Sequence, residues 1–281
     1  MNLLAAQGFR CPVCGRGLEL CPGRLACSRG HSFDLAWEGY ANLLPVQKKH
    51  ARQPGDSPLM VEARRRFLEG GHYALFAQAL ADLAADLARP GQPFRVMDAG
   101  CGEGYYDRAL LPALVQKTGD ARLIGFDISK EAVRLAARVQ KEQAAFAVAS
   151  CFAAPVRDGW ADLAVNVFAP FAREEYLRTL RPGGWLIYAV PGPDHLFGLK
   201  EVLYDTPYRN PCQQVEYPGF VQQADLPVSG QITLRGPQIP DLFAMTPYYW
   251  KTPRQGAQRL QEREELITPI QFRFLVYQKK T

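Results

Sequence analysis

The sequence has no run of eighteen apolar residues and only seven cysteines among its 281 residues. The missing apolar run argues against a membrane-spanning helix. Residues 1–9 lack a basic start and a full apolar core, so no secretory signal is expected. An odd cysteine count without an export signal argues against a disulfide framework and for a reducing compartment. We therefore expect a cytoplasmic protein with no membrane partner.

Positive charge is concentrated in the first quarter of the chain, although the net charge is only +5. Residues 1–70 hold ten Lys or Arg against six Asp or Glu. One cluster comprises Lys48, Lys49 and Arg52, and a second comprises Arg64, Arg65 and Arg66. Most charge runs are solvated surface. Because these clusters adjoin a candidate metal module, we favour phosphate contacts and keep a solvated face as the alternative.

The segment from Val96 to Tyr106 predicts a strand, a glycine turn and a helix that begins near Glu103. Asp98 closes the strand, and glycines follow at positions 100, 102 and 104, where they let a ligand approach main-chain N–H groups. Asp127 ends the next predicted strand, where a carboxylate can accept hydrogen bonds from ribose hydroxyls. This pattern resembles the S-adenosylmethionine site of class I methyltransferases. A generic α/β domain with glycine turns is the alternative.

The remaining pattern predicts a doubly wound, Rossmann-like α/β fold. Further strands are expected at 145–149, 161–167 and 185–190, with helices at 130–140 and 173–180 between them. Such alternation implies a parallel sheet with helices on both faces. Ligands bind at the carboxyl ends of the strands in this fold, which predicts that Asp98, Asp127, Ser150 and Asn166 surround one crevice. Cys101 lies in the glycine loop without an activating base in sequence, so we interpret it as a packing residue.

Two paired turns near the start of the chain predict a zinc site. Cys11 and Cys14 are separated by two residues, and Cys27 and His31 by three. Three thiolates and one imidazole complete a closed tetrahedral site, which is structural rather than catalytic. About forty residues bury too little apolar surface to fold alone, so a metal would stabilise the module. Cys21 is a fifth candidate that we interpret as a spare thiol; a redox pair or unliganded cysteines are the rival interpretations.

The order of motifs along the chain resembles one methyltransferase family closely. After the zinc ligands come the segments 38–47, 54–56 and 63–73, then the glycine loop, Phe168-Ala-Pro170 and Pro191-Gly-Pro-Asp-His195. This order is similar to that of the bacterial guanine-N1 methyltransferases of large-subunit ribosomal RNA, the RlmA type. The resemblance runs from Cys11 to about Trp250.

The resemblance implies specific roles for residues of this chain. It assigns zinc to Cys11, Cys14, Cys27 and His31. It assigns S-adenosylmethionine contacts to Tyr73, Gly102, Glu103 and His195. The glycine loop and the strand ends described above add Asp98, Gly100 and Asp127 to the residues expected to bind the cofactor. It implies a hairpin of 23S rRNA as partner and a homodimer. We expect a zinc-binding RNA-recognition module at 1–45, a basic linker and helix at 46–70, and a methyltransferase domain at 71–281.

Guanine N1 must lose its proton as the methyl group arrives, so an acceptor near the base would help. Asp194, His195 and Asn166 are candidates by topology, and the sequence does not choose among them. N1 lies on the Watson–Crick edge, so the base must be unpaired or flipped. Phe168, Pro170 and Phe171 form a candidate stacking wall, with a core role as the alternative. Two other functions remain open: a non-catalytic RNA-binding zinc protein, and a methyltransferase of another RNA or a small molecule.

Overall fold

The computed structural model describes residues 1–45, 55–212 and 216–281. Within these ranges the strands are β1 (Leu18–Cys21), β2 (Arg24–Cys27), β3 (Ser32–Asp34), β4 (Tyr40–Asn42), β5 (Phe94–Ala99), β6 (Ala121–Asp127), β7 (Ala144–Val148), β8 (Ala161–Val167), β9 (Leu180–Pro191), β10 (Phe220–Arg235) and β11 (Glu265–Lys279). The helices are α1 (Leu3–Ala6), α2 (Pro58–Glu69), α3 (Ala74–Leu87), α4 (Asp107–Thr118), α5 (Lys130–Gln140), α6 (Arg173–Thr179), α7 (Phe197–Leu203), α8 (Gln238–Ala244), α9 (Tyr248–Lys251) and α10 (Arg254–Gln261). The predicted basic cluster of Lys48, Lys49 and Arg52 lies outside the described residues.

Eight of these strands form the central sheet, in the order β10-β11-β9-β8-β5-β6-β7-β4. β4 to β9 run parallel to one another, which confirms the predicted class I methyltransferase fold. The predicted strands are parallel as expected, and two strands that were not predicted make the sheet mixed, because β11 pairs antiparallel with β9 and β10 pairs antiparallel with β11. Most residues of β10 are exposed, so this strand has no apolar run that the sequence could reveal.

Apolar side chains cover both faces of the central sheet. Helices α3, α4 and α5 pack on one face through buried residues such as Leu80, Leu114 and Val133. The other face is covered by α1, by α6 and by the start of the chain, where Phe9, Leu18 and Leu25 have no exposed surface. Each such side chain contributes roughly 1.5–3 kcal/mol by burial. The first 45 residues therefore share a core with the sheet.

The first 45 residues also contain their own small sheet. β1, β2 and β3 form a three-stranded antiparallel sheet, and β4, which follows them, pairs with β7 at the edge of the central sheet. Over the described ranges, no helix combines the length and the apolar character needed to cross a membrane.

Candidate active site and metal centre

A cavity of about 720 Å³ lies at the carboxyl ends of the parallel strands. Its wall includes Asp98 near the end of β5, Asp127 at the end of β6 and Ser150 just after β7. Loops after β8 and β9 add Phe168 and His195. Ligand pockets in proteins commonly have volumes of about 300–1,000 Å³, so a nucleoside-sized ligand fits this space.

The glycine loop forms one wall of the cavity. Gly100, Gly102 and Gly104 all have positive φ angles, of 84°, 55° and 72°. A Cβ at Gly100 would lie 2.4 Å from Ala169, whereas a Cβ at Gly102 would have no atom within 4 Å. Gly102 therefore leaves open space for a ligand against its backbone. The helix predicted to begin near Glu103 begins instead at Asp107, because left-handed glycines cannot continue an α-helix.

The Asp127 carboxylate is held in place by backbone donors. Its Oδ1 accepts a hydrogen bond from Ser129 N–H at 2.7 Å, and its Oδ2 accepts one from Gly102 N–H at 3.2 Å. Burial raises the pKa of Asp127, and these two N–H groups counteract that shift. A carboxylate oxygen has two acceptor positions, so both oxygens can still accept from a ligand.

Two other acids of the cavity wall have buried oxygens without hydrogen-bond partners among the described residues. Asp98 Oδ1 and both carboxylate oxygens of Glu103 are buried and have no hydrogen-bond partner among the described residues. Burial, with Asp107 nearby, raises the pKa of Asp98 well above its ordinary value, and burial raises the pKa of Glu103. Leaving buried polar groups unpaired is costly. The cavity therefore suits a ligand that brings hydrogen-bond donors or positive charge, as S-adenosylmethionine does.

Arg64 is the one cation among the described residues that line the cavity. Its guanidinium lies 2.5 Å from Asp56 and donates a hydrogen bond to the carbonyl of Met245 at 3.4 Å. Asp56 and Glu103 raise the pKa of Arg64 against the effect of burial. Four acids and one arginine thus face the same space.

Arg65 and Arg66 form ion pairs within the chain. Arg65 lies 2.7 Å from both Glu62 and Glu69 on its own helix. Arg66 lies 2.5 Å from Asp241, which is far away in sequence. Both side chains are partly exposed, so their contact with RNA phosphates stays a prediction, whereas Arg64 lines the cavity.

Tyr73 and His195 meet at the cavity wall, as buried neighbours 3.3 Å apart. Gln271 N–H donates to His195 Nδ1 at 3.1 Å. Burial, with Lys200 nearby, lowers the pKa of His195 to about 3, so the ring is neutral. Because Nδ1 accepts, the proton lies on Nε2 and is donated to Tyr73 Oη. Gln271 belongs to β11, a strand that was not predicted although its burial alternates with a period of two residues.

Asn166 and Asp194 do not reach the cavity, contrary to expectation. Asn166 is fully buried; its amide nitrogen donates to Tyr176 Oη at 2.6 Å, and its oxygen accepts from Ala169 N–H at 2.9 Å. The carboxylate of Asp194 is partly exposed and pairs with Arg209 at 2.8 Å. Both side chains therefore have partners elsewhere.

The residues predicted to form a stacking wall lie partly in the cavity lining and partly in the core. Phe168 lines the cavity, is 45% exposed and has a φ of 57°, an unusual conformation for a bulky residue. Pro170 also lines the cavity. Phe171 instead stacks on Tyr217 at 3.9 Å, so it is not part of the predicted wall. Phe152, which the sequence did not single out, lines the cavity and is 66% exposed.

Cys101 packs in the core behind the glycine loop, as the sequence indicated. It is buried, and burial raises the pKa of its thiol well above the ordinary value. A raised thiol pKa disfavours the thiolate that a nucleophile needs.

The structure brings the four predicted zinc ligands together. Their ligand atoms all lie within 4.8 Å of one another, and Cys21 is not in the group. Cys14 Sγ lies 3.7 Å from Cys27 Sγ, and His31 Nδ1 lies 3.4 Å from Cys27 Sγ. A tetrahedral zinc with ordinary bond lengths would give about 3.8 Å between sulfurs and about 3.6 Å between sulfur and nitrogen. The donor set and its spacing therefore fit zinc.

Comparisons with known proteins agree with both the predicted zinc site and the cavity of the central sheet. Residues 9–52 match the family model described as "RlmA, N-terminal", a zinc ribbon, and residues 96–184 match the model of a methyltransferase domain.

Two relatives cover most of the chain. The 23S rRNA (guanine(748)-N(1))-methyltransferase of Streptomyces fradiae is 40% identical over 69% of this chain and 67% of that protein. YxjB of Bacillus subtilis, provisionally named as a 23S rRNA guanine-N1 methyltransferase, is 31% identical over 96% of this chain and 97% of that protein. The chain belongs to the family of 23S rRNA guanine-N1 methyltransferases with an RlmA-type N-terminal zinc ribbon.

Proposed function

We propose that this protein transfers the methyl group of S-adenosylmethionine to N1 of a guanine in a hairpin of 23S rRNA. One structural observation supports the proposal independently of family membership. The cavity brings together an open glycine loop, the hydrogen-bonded carboxylate of Asp127 and buried oxygens of Asp98 and Glu103 that have no hydrogen-bond partner among the described residues. These groups complement a ribose and a positively charged methionine end.

We propose the following arrangement for the cofactor, which supplies a methyl group already activated on a sulfonium. Asp127 would accept hydrogen bonds from the ribose hydroxyls, and the backbone at Gly100 and Gly102 would pack against the nucleoside. Asp98 and Glu103 would face the ammonium and sulfonium charges. Tyr73, fixed by His195, would border the methionine end. Arg64, absent from the expected set, would hold the methionine carboxylate, since it is the cation of the described cavity wall.

The three candidate proton acceptors offer no free lone pair at the cavity wall. Asn166 and Asp194 lie outside the cavity lining, and His195 uses Nδ1 to accept from Gln271. We infer that alignment of N1 with the methyl group provides most of the acceleration. The N1 proton would then leave to water at the open side of the cavity.

The target base would enter the cavity after unpairing, because N1 is otherwise engaged in a base pair. Phe168 supports this step, since its exposed ring beside the cavity is held in a strained backbone conformation. We propose that guanine stacks on Phe168, with Pro170 beside it. Phe152 offers a second exposed ring in the same wall.

We also propose that Cys11, Cys14, Cys27 and His31 bind one structural zinc ion. The ranges 1–45, 46–70 and 71–281 would serve RNA recognition, linkage and methyl transfer, although the first and last share a core. A cytoplasmic location follows from a ribosomal RNA substrate. The homodimer is proposed on family resemblance alone.

Incubation of the purified protein with methyl-labelled S-adenosylmethionine and a 23S rRNA hairpin transcript tests the function. We expect label in RNA, recovered as 1-methylguanosine after nuclease digestion and mass spectrometry. The Gly102→Val variant serves as a matched control that should transfer none. RNA binding and cofactor binding without transfer would indicate a non-catalytic RNA-binding protein, and transfer to other RNA or small molecules alone would refute the substrate.

A further inference from the structure

A strip of exposed aromatic and basic residues lies on α9 and at the start of α10. We name Tyr249, Trp250, Lys251 and Arg254 the aromatic rim. The Trp250 side chain is 68% exposed, and Tyr249 packs edge-on against it with ring centroids 5.0 Å apart. Lys251 and Arg254 are exposed as well. Tyr249 is itself 36% exposed, so the two rings form one exposed aromatic patch rather than a single exposed side chain.

The aromatic rim borders the cavity. Residues 245–248, which lead directly into it, line the cavity. Trp250 Nε1–H points to the sulfur of Met60 at 3.3 Å, and Met60 also lines the cavity. The indole is therefore anchored at the lip of the space proposed to receive the target guanine.

The segment that carries the rim is basic. No Asp or Glu occurs between Asp241 and Glu262 in the sequence. Within the described part of the chain, neither Lys251 nor Arg254 forms an ion pair, in contrast to Arg65 and Arg66. Cations without acidic partners beside an exposed aromatic ring fit a polyanion with stacking bases.

We propose that the aromatic rim binds single-stranded RNA next to the target guanine. A flanking base stacks on the exposed face of Trp250, and Lys251 and Arg254 contact its phosphates. The inference rests on the proposed function, and it extends the RNA contacts beyond the zinc ribbon. Such a contact would hold the strand open while the guanine occupies the cavity, because a stacked neighbour offsets part of the lost helical stacking.

Substitution of Trp250 tests this inference, with Val139→Ala as a control. Val139 is 60% exposed near the end of α5, close to the start of β7, and it lies outside both the cavity lining and residues 1–45. The probe is a synthetic 23S rRNA hairpin that carries guanine 748, the position that names the Streptomyces fradiae relative. Anisotropy should show roughly tenfold weaker RNA binding for Trp250→Ala, equivalent to about 1.4 kcal/mol. Trp250→Phe should recover most of the affinity, and Val139→Ala should match wild type.

The charge contribution has its own measurement. Lys251→Ala with Arg254→Ala should reduce the log–log salt slope of RNA binding by about 0.7–0.9 for each lost contact. Calorimetric affinity for S-adenosylhomocysteine should stay unchanged in all these variants, which excludes general misfolding. Wild-type affinity and salt dependence in the rim variants, while the wild-type enzyme methylates the hairpin, would refute the rim and leave the proposed function intact. Absence of methylation by the wild-type enzyme would refute the function instead.

Discussion

Replacing Arg64 with methionine removes the positive charge that the described cavity wall offers to a carboxylate. Methionine retains much of the arginine stem's length while deleting the guanidinium. In the structure that guanidinium contacts Asp56 and the carbonyl of Met245. If it also holds the methionine carboxylate of the cofactor, the substitution should weaken only ligands that carry this carboxylate.

The size of the effect follows from the surroundings of Arg64. Its side chain is 27% exposed, so solvent screens the interaction only partly. A charge-assisted hydrogen bond in such a setting contributes about 1.5–3 kcal/mol. A loss of about 2 kcal/mol corresponds to roughly thirtyfold weaker binding. The neutral ligand 5′-methylthioadenosine has no carboxylate, and its affinity should change little.

Isothermal titration calorimetry with S-adenosylhomocysteine and with 5′-methylthioadenosine measures both affinities. Arg65→Met is the matched control, since Arg65 lies on the same helix but pairs with Glu62 and Glu69. We expect Arg64→Met to weaken S-adenosylhomocysteine selectively and Arg65→Met to leave both ligands unaffected. Equal losses for the two ligands would mean that Arg64 only maintains the cavity. No loss for either ligand would refute the carboxylate contact altogether.

Further predictions concern the metal, the cofactor and the buried acids. By elemental analysis, Cys27→Ala should lose zinc and, because the ribbon shares the sheet's core, lower the Tm of the whole chain; Cys21→Ala should keep about one zinc. In calorimetry, Asp127→Ala should weaken S-adenosylhomocysteine by about 2–3 kcal/mol, and Gly102→Val should abolish its binding; unchanged affinity in both would contradict the assignment. Burial raises the pKa of Asp107 to about 7, above its unfolded value of 3.8, so its ionisation costs stability as pH rises through this window. The Tm gain of Asp107→Asn over wild type should therefore be larger at pH 8 than at pH 5; an equal gain would contradict this.

The fold and part of the site follow from local sequence patterns. β8 and α5 lie at their predicted residues because a fully buried strand leaves a short, mostly apolar run and an amphipathic helix leaves a helical periodicity. The zinc ligands come together because each pair shares one tight turn. Asp127 reaches the cavity because strand order places it there. These features follow from local patterns together with the regular topology of a doubly wound sheet.

The other features depend on distant contacts. Asn166 lies one residue before the end of a predicted strand, yet its amide nitrogen donates a hydrogen bond to Tyr176, and the side chain is buried in the core. Arg66 pairs with Asp241, a partner that sequence proximity cannot indicate. The partners Glu62 and Glu69 of Arg65, by contrast, lie three and four residues away and could have been anticipated. His195 accepts a hydrogen bond from the backbone of Gln271 in β11, which lies 76 residues further along the chain. The sequence does not show that these two residues meet.

Reverse transcription of 23S rRNA tests the central claim most directly, because a methyl group on guanine N1 blocks base pairing and stops primer extension. RNA from cells with the gene, from cells without it, and from deletion cells complemented with wild type or with Gly102→Val should be compared. We predict a stop at one hairpin guanine that disappears with the gene, returns with the wild-type protein and does not return with the variant. A stop that persists without the gene, or that never occurs with it, would contradict guanine-N1 methylation of 23S rRNA by this protein.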